Sequence, residues 1–266
     1  MSILFVIPLF LVFVVSFFTR SSFGGIELPI TLENYIRFVD PLYLRIVWIS
    51  CVLAFITTFF CLLIGYPFAY IIARSPVHFR NILLLLVIVP FWTNSLIRTY
   101  AWIVLLRTEG VINTLLLKVG IIQEPLSLLY NEFAVLVGLV YTMLPFMVLP
   151  LYASIEKLDR SHLEAASDLG AKPWQTFFKI TLPLTTPGIV AGSLLVFIPS
   201  LGLFFIPDLM GGSKAVLIGN LIKNQFLMAR DWPFGSAASI VLMGMTLLFI
   251  LVYLSFTGDK SGKGLT

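Results

Sequence analysis

Two phenylalanines and an aspartate, Phe204, Phe205 and Asp208, lie close together where a long apolar segment of the sequence ends. A carboxylate attracts an alkylammonium group, and aromatic faces beside it each add a cation–π attraction of about 0.5–2 kcal/mol. Lys223, further along, could repel or gate a cation, or could simply face water. The cluster predicts a contact site for an organic cation. The alternative is an aspartate at the start of a loop, beside interfacial phenylalanines.

A second set of polar and aromatic side chains lies inside another apolar segment, just after Pro90. Arg98 is a charge near the end of that segment, from which its long side chain could reach the membrane interface. Pro90 is expected to break the helix. Asn94 comes just after this break and four residues before Arg98, so it shares a face with Arg98 and lies deeper. We predict that Asn94 and Trp92 line a path through the membrane, although a tryptophan here also suits an interface belt.

The segment from Glu156 to Lys179 is the stretch with dense charge. Ser161, followed three residues later by Glu164, is typical of a capping box, which begins a helix. Gly170 stands where this helix can end in the left-handed conformation, and Pro173 can open a second helix at its first position. The sequence therefore predicts two short helices joined by a glycine turn.

The first of these helices has two distinct faces. Leu163, Ala166 and Leu169 fall near one face, whereas Glu164 and Asp168, four residues apart, share another. An apolar stripe with small residues beside an acidic pair suits docking into a groove of another protein. The alternative is a solvated surface helix that contacts nothing.

The composition places all of these residues in a membrane protein. The chain has 266 residues, of which 59% are apolar and 11% charged, and its mean hydropathy is +1.02. A soluble globular chain carries roughly 25% charged residues. The net charge of +4 is too small and too scattered for a nucleic-acid binder. Cys51 and Cys61 form neither a disulfide framework nor a metal motif, so no metal is expected.

The apolar residues fall into segments of about the length that a spanning helix needs, roughly 20 residues. They are Ile3–Phe18, Ile46–Ala73, Ile82–Leu106, Phe133–Ile155, Leu184–Phe205 and Ala237–Phe256. Little of the chain is left for a separate soluble domain. We therefore expect an all-α, polytopic membrane protein with six transmembrane helices in a single domain, residues 1–266.

Basic residues give the expected orientation. Lys and Arg are about twice as dense in the loops after the second and fourth segments and in the C-terminal tail as in the remaining loops. The positive-inside rule then puts both termini and the charged segment at about 156–179 in the cytoplasm.

The charged segment also carries a family resemblance. Glu164-Ala165-Ala166, then Gly170, then Ile180-Thr181-Leu182-Pro183 resembles, without a gap, the EAA motif of permease subunits of bacterial binding-protein-dependent ABC importers. The resemblance implies a type I importer permease fold. It further implies that this loop couples the permease to a cytoplasmic ATPase through Glu164, Ala165, Ala166, Asp168, Leu169 and Gly170.

Two further stretches narrow the resemblance. Pro90–Trp102 and Ile206–Gly212 are similar to the spermidine/putrescine permeases of that family, and the likeness extends over nearly the whole chain. It implies polyamines as the solute. A polyamine is an apolar chain with fixed positive charges, which suits the aromatic rings and carboxylate around Asp208.

The resemblance also implies partners. These are a second, homologous permease chain, two copies of an ABC ATPase that hold ATP and Mg, and a periplasmic polyamine-binding protein. The resemblance also implies that this chain lies in the bacterial inner membrane. The sequence contains no GxxxxGK[ST] phosphate-binding loop, so we expect a transport subunit without enzymatic activity or a cofactor of its own.

Two alternatives remain at this point. The same architecture could pass another small solute, such as an amino acid, a sugar, phosphate or ferric iron. A six-span protein could also be a channel or an intramembrane enzyme, but the sequence lacks a filter motif, HExxH, a GxSG-type serine and paired intramembrane aspartates.

Overall fold

The computed structural model describes residues 2–21, 24–212 and 215–261. Position 1 and positions 262–266 of the expected domain lie outside these ranges. Within the described residues the chain forms two compact units. The first unit is drawn from Met1–Cys51, Leu201–Phe204 and Val216–Thr266, and the second from Val52–Ser200 and Phe205–Ala215. The expectation of a single permease domain stays a prediction.

Helices make up nearly all of the regular structure in the described residues, which confirms the all-α expectation. The helices are α1 (Ser2–Val15), α2 (Glu33–Phe38), α3 (Pro41–Arg74), α4 (Val77–Ile88), α5 (Ser95–Leu106), α6 (Val111–Lys118), α7 (Glu132–Glu156), α8 (Arg160–Asp168), α9 (Pro173–Thr176), α10 (Leu182–Leu184), α11 (Thr186–Gly202), α12 (Ile218–Leu227) and α13 (Trp232–Ser261). A 3₁₀ turn spans Val89–Trp92, and π turns span Phe177–Thr181 and Pro207–Gly211. Strands β1 (Thr19–Arg20) and β2 (Ile26–Glu27) form a short antiparallel hairpin, with Thr19 opposite Glu27.

Four helical segments of the described chain are long and apolar enough to cross a membrane. They are α3, Ser95–Lys118, α7 and Trp232–Tyr253 of α13. A bent pair, Pro173–Leu184 and Thr186–Gly202 at 64°, could form a fifth span. Helices α3, α7 and α13 thus confirm the second, fourth and sixth predicted segments. The first predicted segment forms the shorter α1, and the count of six spans stays a prediction.

The third predicted segment, 82–106, is broken at Pro90, as the sequence indicated. Helix α4 ends, a 3₁₀ turn follows, and α5 begins only after an extended break. Pro90 has no N–H to donate to the carbonyl four residues earlier. Asn94 then caps α5, since its side-chain oxygen accepts from the N–H of Leu96 at 2.8 Å. A proline and an N-cap residue together explain the break.

In the first unit, α13 packs on α1, α2 and α12. The centre of this packing is a buried apolar cluster in which no side chain is more than 5% exposed, formed by Phe38, Ile218, Phe234 and Ala238. Helix α12 begins beside α3, where the N–H of Ile218 donates to the hydroxyl of Ser50 at 2.9 Å. The apolar cluster holds α2 and the start of α13 together.

An ion pair packs against the same cluster. The Nη1 of Arg37 donates to Oδ2 of Asp231 at 2.7 Å, and the guanidinium lies 4.1 Å from the centre of the Phe234 ring. Asp231 is 1% exposed and also accepts from the N–H of Phe234 at 3.2 Å, at the start of α13. The carboxylate therefore caps a helix and neutralises a cation at once.

We expect Asp231→Ala to lower the free energy of unfolding by about 2–3 kcal/mol, because it leaves a partly buried guanidinium unpaired and removes the cap. The value lies below that of a fully buried pair because Arg37 is 43% exposed. Thermal unfolding of the detergent-solubilised protein measures the change. Glu27→Ala, at an exposed carboxylate of the same unit, is the control. Equal melting temperatures for Asp231→Ala and the wild type would contradict this role.

In the second unit, α7 runs through the core. Its fully buried side chains include Val135, Leu139, Met147, Leu151 and Ile155. Gly138 permits the closest approach, since a Cβ there would lie 2.7 Å from Sδ of Met210 and 2.8 Å from Cγ2 of Ile206. The absence of a side chain at Gly138 lets the segment around Met210 seat directly on α7.

Candidate functional site

Helix α8 begins two residues earlier than the sequence predicted. Its N-cap is Asp159, whose carboxylate accepts from the N–H of Ser161 at 3.0 Å, so the predicted capping box of Ser161 and Glu164 was wrong. Hydrogen bonds from Ser161 lower the pKa of Asp159. The cap is fully formed above the ordinary carboxyl pKa and weakens as the pH falls through that lowered value.

Gly170 ends α8 in the predicted way. Its φ is +79°, in the left-handed region. The N–H of Ala171 donates to the carbonyl of Ala166 at 3.0 Å, and that of Gly170 donates to Ser167 at 2.9 Å, which satisfies the last carbonyls of the helix. A Cβ at Gly170 would meet nothing within 4 Å. Any effect of a substitution there acts through the backbone alone. Pro173 opens α9 as predicted.

The predicted apolar stripe on α8 is only partly present. Ala166 is 6% exposed and Leu163 is half-buried, but Leu169 is 89% exposed, so its placement on the stripe was wrong. The reason is that α8 ends at Asp168, after which helical spacing no longer sets the direction of a side chain. Glu164 is also exposed, as predicted.

Two exposed aromatic residues of this loop were missed by the sequence reasoning. Trp174 is 60% and Phe178 is 59% exposed. Large apolar side chains inside a densely charged loop are the signal that could have identified them. Together with Leu169 and the exposed Ala165, Glu164 and Asp168, they give the loop a surface that is both apolar and acidic.

The loop is joined to the following span through a bend at Thr185. Pro187 cannot donate to the carbonyl of Pro183, so the helix changes direction between them. The hydroxyl of Thr185 donates to the carbonyl of Thr181 at 2.8 Å and lies 2.9 Å from the hydroxyl of Tyr66 on α3. The bend is therefore held by buried hydrogen bonds, so that the loop and α11 keep a defined angle.

Asp208 lies on the π turn Pro207–Gly211, in the second unit. Ile206 and Met210 on either side of it are fully buried, whereas Asp208 is exposed and Phe205 is half-buried. The turn presents the carboxylate on one face while its other face packs on α7. Wide π turns of this kind are frequent at functional sites.

Phe204 and Lys223 lie together in the first unit. The Nζ of Lys223 is 5.9 Å from the centre of the Phe204 ring, within the range of a cation–π contact. The side-chain N–H of Asn220 donates to the carbonyl of Phe204 at 2.8 Å and fixes its backbone. Asn220 was missed by the sequence reasoning, since nothing in its neighbourhood distinguishes it. The Phe204 ring can thus hold an ammonium group.

The remaining predicted path residues lie at the break before α5. Trp92 is 75% exposed, and Asn94, which follows the Pro90 break as predicted, is an exposed helix cap. Arg98 lies inside α5, with its guanidinium carbon 5.2 Å from the Phe91 ring and 5.9 Å from the Tyr141 ring. Within the described residues, no group of three or more His, Cys, Asp or Glu side chains could hold a metal ion.

The described residues combine spanning helices with a charged, two-helix loop before the fifth apolar segment. This combination is the one expected of a membrane subunit of an importer. The chain belongs to the family described as binding-protein-dependent transport system inner membrane component, which matches residues 65–258. It is therefore a membrane transport subunit and not an enzyme, as the sequence predicted.

Among its relatives is the spermidine/putrescine transport system permease protein PotB. The chain is 52% identical over 247 residues to PotB of Haemophilus influenzae, covering 93% of this chain and 86% of that protein. It is equally similar to PotB of Escherichia coli K12, covering 90% of that protein. The inner membrane ABC transporter permease YdcU of E. coli K12 is 31% identical, over 90% of this chain and 79% of YdcU.

Solved structures share the fold. A chain of a bacterial alginate ABC transporter, in complex with a periplasmic protein bound to an alginate pentasaccharide, superposes with a TM-score of 0.74 at 19% identity, over 89% of this chain and 85% of that chain. A chain of an amino acid ABC transporter gives a TM-score of 0.53 at 16% identity, over 86% of this chain and 98% of that chain. These likenesses confirm an ABC importer permease fold.

Proposed function

We propose that this subunit forms, with a second permease chain, a path by which polyamines enter the cytoplasm, driven by ATP hydrolysis on separate subunits. The observation that carries the proposal is the 52% identity to spermidine/putrescine permeases over 93% of the chain. The aligned region of 247 residues includes the segments around Phe204 and Asp208 and the coupling loop.

The chemistry of the candidate residues supports a cationic substrate. Asp208 offers an exposed carboxylate on a turn whose other face is buried, so the charge is held in place without complete desolvation. Phe204 offers a ring that already receives the ammonium of Lys223. Each of these groups attracts an alkylammonium by itself. Trp92 and Asn94 remain proposed path residues, both exposed.

The loop at 156–179 supports the proposed coupling to an ATPase. Its exposed Leu169, Trp174 and Phe178 supply apolar area, and Glu164 and Asp168 supply charge. Such a surface suits a groove with an apolar floor and basic rim. The ATPase subunits hold ATP and Mg, and a periplasmic binding protein delivers the substrate. The structure of the alginate ABC transporter likewise contains a periplasmic protein bound to an alginate pentasaccharide.

Competition for uptake tests the substrate class. Cells that lack their own polyamine uptake are given this subunit with its companion permease, ATPase and binding protein. We expect uptake of labelled spermidine and putrescine that unlabelled polyamine suppresses and that a hundredfold excess of amino acids or sugars leaves intact. Suppression by a neutral sugar or an amino acid, with polyamine ineffective, would reassign the substrate.

The proposed orientation puts both termini and the coupling loop in the cytoplasm. We expect His162→Cys, at an exposed position of α8, to resist a membrane-impermeant maleimide in intact cells and to react after permeabilisation. The background carries Cys51→Ala and Cys61→Ala. Glu124→Cys, at an exposed position on the opposite side in this topology, should react in intact cells. Rapid reaction of the first variant from outside would reverse the orientation.

A further inference from the structure

Tyr130, just before α7, has an unusual backbone. Its φ is +61°, a left-handed conformation that a bulky side chain rarely adopts. In that conformation its N–H donates to the carbonyl of Met210 at 2.9 Å. Asn131 follows as the N-cap of α7 and accepts from the N–H of Ala134 at 2.9 Å. The strained residue is therefore fixed between a rigid helix start and the π turn that carries Asp208.

The turn meets Tyr130 at a second point. Gly212, directly after the turn, has φ +58° and ψ −150°, a combination open almost only to glycine. A Cβ at Gly212 would lie 3.3 Å from the Cβ of Tyr130. The two left-handed residues thus pack against each other. The end of the turn is held by the hydrogen bond from the N–H of Tyr130 and by the close approach of Gly212 to the Tyr130 side chain.

We infer that Tyr130 is a positioning residue for Asp208, and that its left-handed backbone is a strained latch. While Tyr130 keeps a positive φ, its N–H holds the carbonyl of Met210 and the turn stays on α7. Relaxation to an extended conformation turns the N–H away and releases that carbonyl. This inference rests on the proposed role of Asp208 as a cation contact.

A groove beside the latch gives a ligand or partner access to it. The groove has a volume of about 660 Å³, and its lining includes Val104, Arg107, Glu109, Leu129 and Tyr130. Asn113, which is fully buried, ties its walls together by donating to the carbonyl of Leu126 at 2.9 Å and accepting from its N–H at 3.0 Å. The Tyr130 side chain is 57% exposed at the rim, so a molecule bound in the groove can contact it directly.

A series of substitutions at Tyr130 separates backbone strain from the loss of the ring. Tyr130→Gly and Tyr130→Ala both remove the ring, but only glycine accepts a positive φ at no steric cost. Tyr130→Val disfavours that conformation further, because its side chain is β-branched. Tyr130→Phe keeps the bulk and removes only the hydroxyl. Tyr100→Val, at an exposed tyrosine in ordinary helical backbone, is the matched control.

Release of the turn is measured by the reactivity of Met210→Cys. Met210 is fully buried, so a thiol there reacts with a maleimide only when the turn leaves α7. The measurement uses the assembled transporter with Cys51→Ala and Cys61→Ala. We expect the labelling rate to rise about fivefold or more with Tyr130→Val and to fall by a similar factor with Tyr130→Gly. Tyr130→Phe and Tyr100→Val should leave the rate unchanged.

Labelling rates that are the same for the glycine and valine variants would overturn the latch, whether both are slow or both fast. Identical rates for Tyr130→Gly and Tyr130→Ala, both different from the parent, would assign the effect to the ring instead. The proposed function fails separately: if Asp208→Asn transports normally while the Tyr130 series keeps its order, the latch stands and the cation contact does not.

Discussion

Asp208→Asn should reduce spermidine uptake at subsaturating concentration by about five- to thirtyfold, with the transporter still assembled. Asparagine keeps the size and hydrogen bonding of the side chain but removes its charge. A charge pair at 4 Å is worth about 4 kcal/mol at an effective dielectric of about 20. Because Asp208 is exposed, only about 1–2 kcal/mol of this is expected to remain after solvent screening. Initial rates of labelled spermidine uptake measure the loss.

The control for this prediction is Glu124→Gln, which removes an exposed charge elsewhere in the same unit and should transport normally. Phe204→Leu and Phe205→Leu keep bulk but lose the π face, so we expect losses of only about two- to fivefold from the cation–π contribution. Wild-type uptake by Asp208→Asn at every substrate concentration would reduce Asp208 to a loop aspartate.

Gly170→Val should leave the subunit inserted but weaken its association with the ATPase by about tenfold or more. Its φ of +79° costs a β-branched residue at least about 1–2 kcal/mol, and the empty space around its Cβ position excludes a clash as the cause. Relief of that strain changes the angle between α8 and α9, and with it the relation of Leu169 to Trp174. Copurification with the ATPase and ATP-driven uptake measure the effect.

Gly120→Val is the matched control for this prediction. Gly120 has φ +75°, and a Cβ there would also meet nothing within 4 Å, so the substitution introduces the same strain outside the coupling loop. We expect it to leave ATPase association intact. Unchanged assembly and transport in Gly170→Val, or equal losses in both variants, would remove the coupling role of this turn.

The sequence predicted the fold well where apolar length decides it. Helix α7 matches its predicted segment within one residue at each end, and Gly170 and Pro173 act as their types suggest. The sequence also predicted the break at Pro90, but it did not predict the residue at which the helix resumes, because a local hydrogen bond decides that position. Asn94 reads as one more polar residue on a helical face, yet its side chain accepts from a backbone N–H and starts a new helix.

The candidate site was predictable only in part. The exposure of Asp208 follows from its position after an apolar segment, but the burial of Ile206 and Met210 depends on Gly138, about seventy residues away in sequence. Likewise, the left-handed backbone of Tyr130 has no local signal, because tyrosine is not a residue type that favours it. Contacts between distant segments set both features, and residue spacing within one segment does not report them.

The central claim is that this chain is the permease subunit of an ATP-driven polyamine importer. Its most direct test is uptake of radiolabelled spermidine into proteoliposomes that contain the assembled transporter, with the binding protein outside and ATP inside. We predict accumulation above the external concentration that stops without ATP or without the binding protein. Spermidine that merely equilibrates, at a rate indifferent to ATP, would contradict the claim.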